Sequence, residues 1–266
     1  MDSWLTLHEA PLRLGVFLGV FGLMAVLEWA FPRRALSCSK MRRWGANLSI
    51  VIINTTLVRL VLPVSAVGIG WICTTNGWGL LNQVQWPGVL ELVSAVLLFD
   101  LVIYLQHRLF HRVPLLWRLH RVHHADPDMD VTTGARFHPL EILISMLVKF
   151  LAIAVVGPPL AAIIIFEVLL NATALFNHSN LKLPVAMDRI IRALLVTPDM
   201  HRVHHSVQRD ETNSNYGFNL PWWDRIFGSY RDQPRAGHEA MLVGLKEYPQ
   251  PRSTSLTGLL LIPFGK

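Results

Sequence analysis

The chain has 266 residues, enough for one domain or at most two. It is 52% hydrophobic and only 16% charged, with a mean hydropathy of +0.38, which excludes an ordinary soluble domain and points to a membrane protein. The net charge of +6 then reads as basic residues that set topology and meet anionic head groups, and nucleic acid is not an expected partner.

In chain order, residues 1–11 hold no Lys or Arg, and no small-residue cleavage site follows. Leu12–Phe31 is therefore a retained span, long enough to cross a hydrocarbon core of ~30 Å. A basic stretch follows with Arg33, Arg34, Lys40, Arg42 and Arg43. Ala46–Ile72 is a second apolar segment with Arg59 as its one charge, and Cys73–Pro87 is a polar turn region without Lys or Arg. Gly88–Leu105 is a third span, with Glu91 near one end and Asp100 inside. Cys38 and Cys73 match no redox or metal spacing and read as incidental. The basic loop 32–45 should be cytoplasmic, which delivers everything after the third span to the same side.

Pro139–Asn177 is too long for one span and is broken at Gly157-Pro158-Pro159, so it reads as a helical hairpin with both ends cytoplasmic. From Leu181 onward the text is mixed and polar, as expected of a cap. The expected fold is an all-α integral membrane protein with about four membrane-crossing helices: two spans, a third carrying the first histidines, and the hairpin, under a histidine-rich cytoplasmic cap. One overall domain divides into an N-terminal transmembrane region (1–87), a catalytic region (88–232) and a C-terminal cytoplasmic tail (233–266).

The pentapeptide HRVHH occurs twice, at His120–His124 and at His201–His205, and takes six of the twelve histidines. Residues i, i+3 and i+4 share a helix face. His120, His123 and His124 therefore converge, as do His201, His204 and His205. His107 and His111 do the same at the end of the third span. Histidine is the commonest transition-metal ligand, and one HxxHH triplet cannot close a coordination sphere. These eight, with His178 and His138 brought near by the hairpin, suggest two metals with four or five ligands each. No HExxH is present, and carboxylates are scarce among the motifs, which argues against a zinc-protease or ferritin-like centre.

His178 reads as a ligand. His138 precedes a proline at a helix start, where capping or supporting a ligand is as good a reading as ligation. His8 falls on the far side, and His238, in the tail, is left out. Asp100, Tyr104, His107 and His111 run i, i+4, i+7, i+11 along one face, so Asp100 could orient a histidine or pair with Arg59 or a tyrosine. Glu167, Asn171 and His178 form a similar stripe.

The ordered set His107-x3-His111, His120-x2-His123-His124 and His201-x2-His204-His205 resembles the fatty acid hydroxylase/sterol desaturase superfamily, over roughly residues 95 to 230. Arg136-Phe137-His138-Pro139-Leu140-Glu141, Asn177-His178-Ser179-Asn180, Asn215-Tyr216-Gly217 and Trp223-Asp224-Arg225-Ile226-Phe227-Gly228 extend it. The resemblance implies an integral membrane, non-haem di-iron oxidoreductase that hydroxylates a lipid C–H bond with O2 and two electrons from an external reductase or small redox protein. The lipid could be fatty acyl, sterol or related. It also implies His107, His111, His120, His123, His124, His178, His201, His204 and His205 as catalytic iron ligands. Some members carry a further histidine where this chain has Ala174; His138, Asn171 or a water could complete the set. Zinc could replace iron in purified protein.

Desaturation by the same site, a pterin-dependent ether-lipid oxygenase and a non-catalytic membrane metal-binding protein are the alternatives. The absence of histidine from the first two spans argues against metal transport. Arg108, Arg112, Arg118 and Arg121 read first as topology determinants; holding lipid head groups or docking an acidic donor are their other readings. The expected location is the bacterial plasma membrane, with the histidines and the C-terminus cytoplasmic.

Overall fold

Backbone polar groups in hydrocarbon must be satisfied within their own segment, and a helix does this for every residue it contains. The long apolar runs accordingly form helices in the computed structural model, which describes residues 2–84 and 86–265, with side chains from residue 8. The helices are α1 (Asp2–Ala30), α2 (Lys40–Val61), α3 (Ala66–Asn76), α4 (Gly88–Arg112), α5 (Pro114–His124), α6 (Pro139–Val156), α7 (Leu160–His178), α8 (Val185–Ile191) and α9 (Pro198–His204), with short helical turns beyond. Five segments are long and apolar enough to cross a membrane: His8–Ala30, Lys40–Gln83, Gly88–Arg112, Pro139–Val156 and Leu160–His178.

The second apolar segment departs from the expected continuous Ala46–Ile72. Pro63 offers no N–H and disfavours a helical Leu62, so α2 ends at Val61. The chain restarts at Ser65, whose hydroxyl accepts from the Gly68 N–H at 3.0 Å. At 11 residues, α3 is only ~16 Å long, too short to cross alone. It packs instead against α6 and α7.

The hairpin forms as expected. Gly157 closes α6 at φ 63°, a left-handed value suited to glycine, and Pro159 precedes α7. α7 is the central post, flanked by α1, α3, α4 and α9. Its core includes Phe99, Ile153, Ile163 and Phe166. Leu14, Leu18, Val26, Val89, Leu147 and Leu151 stay exposed on the span surfaces, as a lipid-facing belt requires. Within the bundle Glu167 accepts from Arg13 at 2.5 Å and also pairs with Lys149, tying α1, α6 and α7 together.

The ends of the helices are fastened by a buried ionic strap. Arg43, at the start of α2, donates to Asp126 at 2.7 and 2.9 Å, to Asp130 at 2.7 Å and to the Asp128 carbonyl. Arg136 lies 3.7 Å from Asp126. Burial pushes the Asp126 carboxyl up, but Arg43 and Arg136 outweigh it and hold it at about 2. Asp128 in turn accepts from the backbone N–H groups of Ser37 and Cys38. The tail 233–266 folds back: Leu259 and Ile262 pack on Ala46, Ile50 and Val122, and Arg118 and Arg121 donate to the carbonyls of Pro263 and Ile262.

Arg43→Ala leaves Asp130 buried without its ion-pair partner and Asp126 with Arg136 alone, a change that typically costs ~3–5 kcal/mol. We expect a clearly lower thermal midpoint in detergent; an unchanged midpoint would show that the strap contributes nothing to stability.

Candidate metal centre

Four helices end at one place. His107 and His111 sit in the last turns of α4, His120, His123 and His124 in those of α5, His178 ends α7, and His201 and His204 lie on α9 with His205 just after it. The nine histidines fall into two groups that could each hold a metal ion, with ligand atoms within 4.8 Å of one another. One comprises His107, His111, His120, His124 and His204; the other His123, His178, His201 and His205. Each HRVHH copy straddles both groups. All nine are buried except half-buried His111.

Hydrogen bonds decide the tautomers. Nδ1 of His107 meets the Tyr216 carbonyl at 2.8 Å, and those of His204 and His178 meet the Ser214 and Ala174 carbonyls at 2.7 Å. The His123 Nδ1 meets the Arg136 carbonyl at 3.2 Å, and the His120 Nδ1 meets Glu141 Oε1 at 2.6 Å. A carbonyl can only accept, so the Nδ1 atoms of His107, His204, His178 and His123 carry hydrogen and their Nε2 atoms are bare lone pairs. Yet Nε2 of His107 lies 3.1 Å from that of His120 and 3.0 Å from that of His204. Nε2 of His178 is 3.0 Å from those of His123 and His201. Where both rings are fixed by carbonyls, as for His107 with His204 and His178 with His123, lone pairs facing at that distance repel unless a cation lies between them. Two imidazole nitrogens each ~2.1 Å from one ion at right angles are ~3.0 Å apart. His111, His124 and His205 have both ring nitrogens buried without a hydrogen-bond partner. The four helix C-termini add partial negative charge where a cation would sit. The residues fit a pair of metal ions.

Burial, the largest cause, lowers the six histidines outside the spans, and their neighbours add to it for most. His120 falls to about 3, and His123, His124, His201, His204 and His205 fall well below the ordinary value. All stay neutral at physiological pH, the form that donates a lone pair.

The loop motifs have a mechanical role. Asp224 accepts from the Tyr216 and Gly217 N–H groups at 2.8 and 2.7 Å, fixing the loop whose carbonyls orient His107 and His204. A Cβ on Gly217 would lie 2.7 Å from the Asp224 carboxylate, so only glycine leaves room for this contact. Asn215, at φ 49°, spans the loop by donating to the carbonyls of Met200 and Arg231 at 2.9 and 2.8 Å.

Five other sequence candidates lie outside both groups. His138 caps α6, accepting from the Leu140 N–H at 3.2 Å. Asn171 bonds its own helix at the Glu167 carbonyl, and Glu167 is the ion-pair tie. Asp100 accepts from Trp223 Nε1 at 2.8 Å and from the Leu220 N–H, and is not paired with Arg59. Tyr104 meets Ser229 at 2.8 Å. The tautomer control expected of Asp100 comes for His107 from the Tyr216 carbonyl, because the 214–217 loop reaches the ring first. Glu141 is the contact the residue reading missed. It lies three residues after His138 in the first turn of α6, and its partner His120 is on another helix.

A family model for fatty acid hydroxylase matches residues 92–229, just over half of the chain. The chain belongs to the fatty acid hydroxylase family. Among curated relatives, an ornithine lipid hydroxylase, OlsE, of Rhizobium tropici is 30% identical over 57% of this chain and 45% of its own length. Human alkylglycerol monooxygenase is 29% identical over 62% of this chain and 35% of its own. A rice very-long-chain aldehyde decarbonylase, GL1-11, is 28% identical over 59% and 60%. The chain thus spans less than half the length of the first two. No solved structure matches.

Two outcomes follow. Glu141→Ala frees the His120 ring, and we expect metal affinity, read by chelator competition, to fall ~10–100-fold, the usual effect of losing such a partner. The metal-free protein should also lose stability as pH falls. The unfolded chain protonates its histidines near ~6.5, while the folded chain, with lowered values, stays neutral. The protons bound only by the unfolded state penalise folding below ~6.5 and not above it. A chelator-stripped sample should melt lower at pH 5.5 than at pH 7.5; equal midpoints would contradict neutral burial.

Proposed function

We propose that this chain is a di-iron lipid monooxygenase that hydroxylates a C–H bond of a membrane lipid, using O2 and two electrons from an external donor. The observation that carries this is the facing of bare Nε2 atoms within two all-histidine groups, at the ends of membrane-long helices, in a chain of the fatty acid hydroxylase family. The similarity to an ornithine lipid hydroxylase and an alkylglycerol monooxygenase favours a lipid substrate.

The nine histidines would hold the two irons. Iron supplies the one-electron chemistry that reduces O2 and takes hydrogen from an unactivated C–H bond, which no side chain can do. Overall, the lipid gains one oxygen atom, the other leaves as water, and the two electrons are matched by two protons. The chain's own work is positional. The carbonyls of Tyr216, Ser214, Ala174 and Arg136 fix four rings with lone pairs inward, and Glu141 holds the ring of His120. Burial keeps the imidazoles outside the spans unprotonated. A cavity of about 290 Å3 reaches His111, bounded by Trp117, Asn213, Arg209 and Lys246. The apolar belt supports embedding in a membrane, and the basic 32–45 loop supports a cytoplasmic site in a plasma membrane.

Iron counted per chain tests the reading. We expect about two in the parent, and near none in His204→Ala/His205→Ala, because those two residues serve different groups. Lipid extract incubated with the iron-loaded parent, O2 and reductant should gain hydroxylated species by mass spectrometry, and the variant should yield none. Metal equal in both proteins would end the ligand assignment; iron without any oxidised lipid would end the enzyme assignment.

A further inference from the structure

The four basic residues beside the histidine motifs do not share one role. Arg118 and Arg121 are occupied: they donate to the carbonyls of Pro263 at 2.9 Å, Ile262 at 2.7 Å and Gly265 at 2.8 Å. Arg108 and Arg112 enter no ion pair among the described residues. The Arg108 Nε is buried and unpartnered. Both residues line an open groove of about 540 Å3 between α4, α5 and α6, within the size range of ligand sites.

The rest of its wall is almost wholly apolar, including Val102, Leu105, Leu109 and Ile144. One polar side chain in the wall, Gln106, is turned onto Ser145 at 2.9 Å and bridges α4 to α6. Phe110, also in the wall, has a buried ring 5.8 Å from that of His120, centroid to centroid. The groove therefore pairs a hydrocarbon-lined length with two guanidinium groups that enter no ion pair among the described residues, and it shares Phe110 with the surroundings of the first histidine group.

We propose that this groove is a seat for one anionic membrane phospholipid, with its phosphate on Arg108 and Arg112 and an acyl chain along α4 towards Val102. The proposal rests on the reading of the chain as a membrane-embedded lipid oxidoreductase. A guanidinium is a planar multiple donor suited to phosphate, and a zwitterionic head would carry its own cation back towards the arginines.

The full chain in detergent would be equilibrated with equal amounts of phosphatidylglycerol and phosphatidylcholine, and the retained lipid counted by native mass spectrometry. We expect one phosphatidylglycerol retained about tenfold or more over phosphatidylcholine, the scale set by two arginines near anionic lipid. Arg108→Gln/Arg112→Gln should lose that preference, while Arg235→Gln/Lys246→Gln, with the same charge change, should keep it. A phosphatidylglycerol with a photoreactive acyl chain should label 102–110 or 144–148 in the parent. Equal retention of the two lipids, an unaffected preference in the arginine variant, or labelling elsewhere would overturn the assignment. Iron content read on the same samples separates the two claims. Loss of lipid preference with iron retained tests the groove; a parent without iron would overturn the metal reading and leave the lipid result standing.

Discussion

Nitrogen lone pairs held about three ångströms apart in a dry interior are the constraint around which this molecule is arranged. Burial keeps the rings outside the spans neutral, and backbone carbonyls fix several to the tautomer that faces its neighbours. Each feature alone would be costly, and together they are reconciled by positive charge at the centre. The helices obey the same demand. α4, α5, α7 and α9 all present their C-terminal ends, the end whose dipole favours a cation.

Holding such a cluster together requires rigidity in the parts around it. The strap of Arg43 with Asp126 and Asp130 locks the segment after α5 to the start of α2. On the opposite side Asp224 grips the 214–217 loop. The histidines are thus positioned by two polar clamps set in a mostly apolar protein. Buried charge pairs of this kind are weak sources of net stability, and their value lies in specifying one arrangement.

Much of this was legible in the residues. Long apolar runs, the Gly157-Pro158-Pro159 break and the i, i+3, i+4 spacing of HRVHH are local signals, and local signals survive folding. The split at Pro63 carried its own mark, but a run of apolar residues on both sides made one span the simpler reading. Long-range partnerships left little trace. Asp126, Asp128 and Asp130 cluster conspicuously in an acid-poor chain, yet only the fold shows that Arg43 is their partner. Asp100 and Glu167 fell on helical stripes with histidines and turned instead to Trp223 and to Arg13 with Lys149, because a shared face does not specify what packs against it. Glu141 reached His120 across two helices, a contact no spacing encodes.

The half-burial of His111 has a consequence for exchange. The five-histidine group borders an opening to solvent, while every ring of the four-histidine group is sealed. A small hydrophilic chelator therefore has a direct path to one centre and must await local separation of helix ends to reach the other. Stripping should proceed in two phases, fast and slow, and reloading should meet the same barrier in reverse. Two ions held there would then be asymmetric in time even though their ligands are chemically alike.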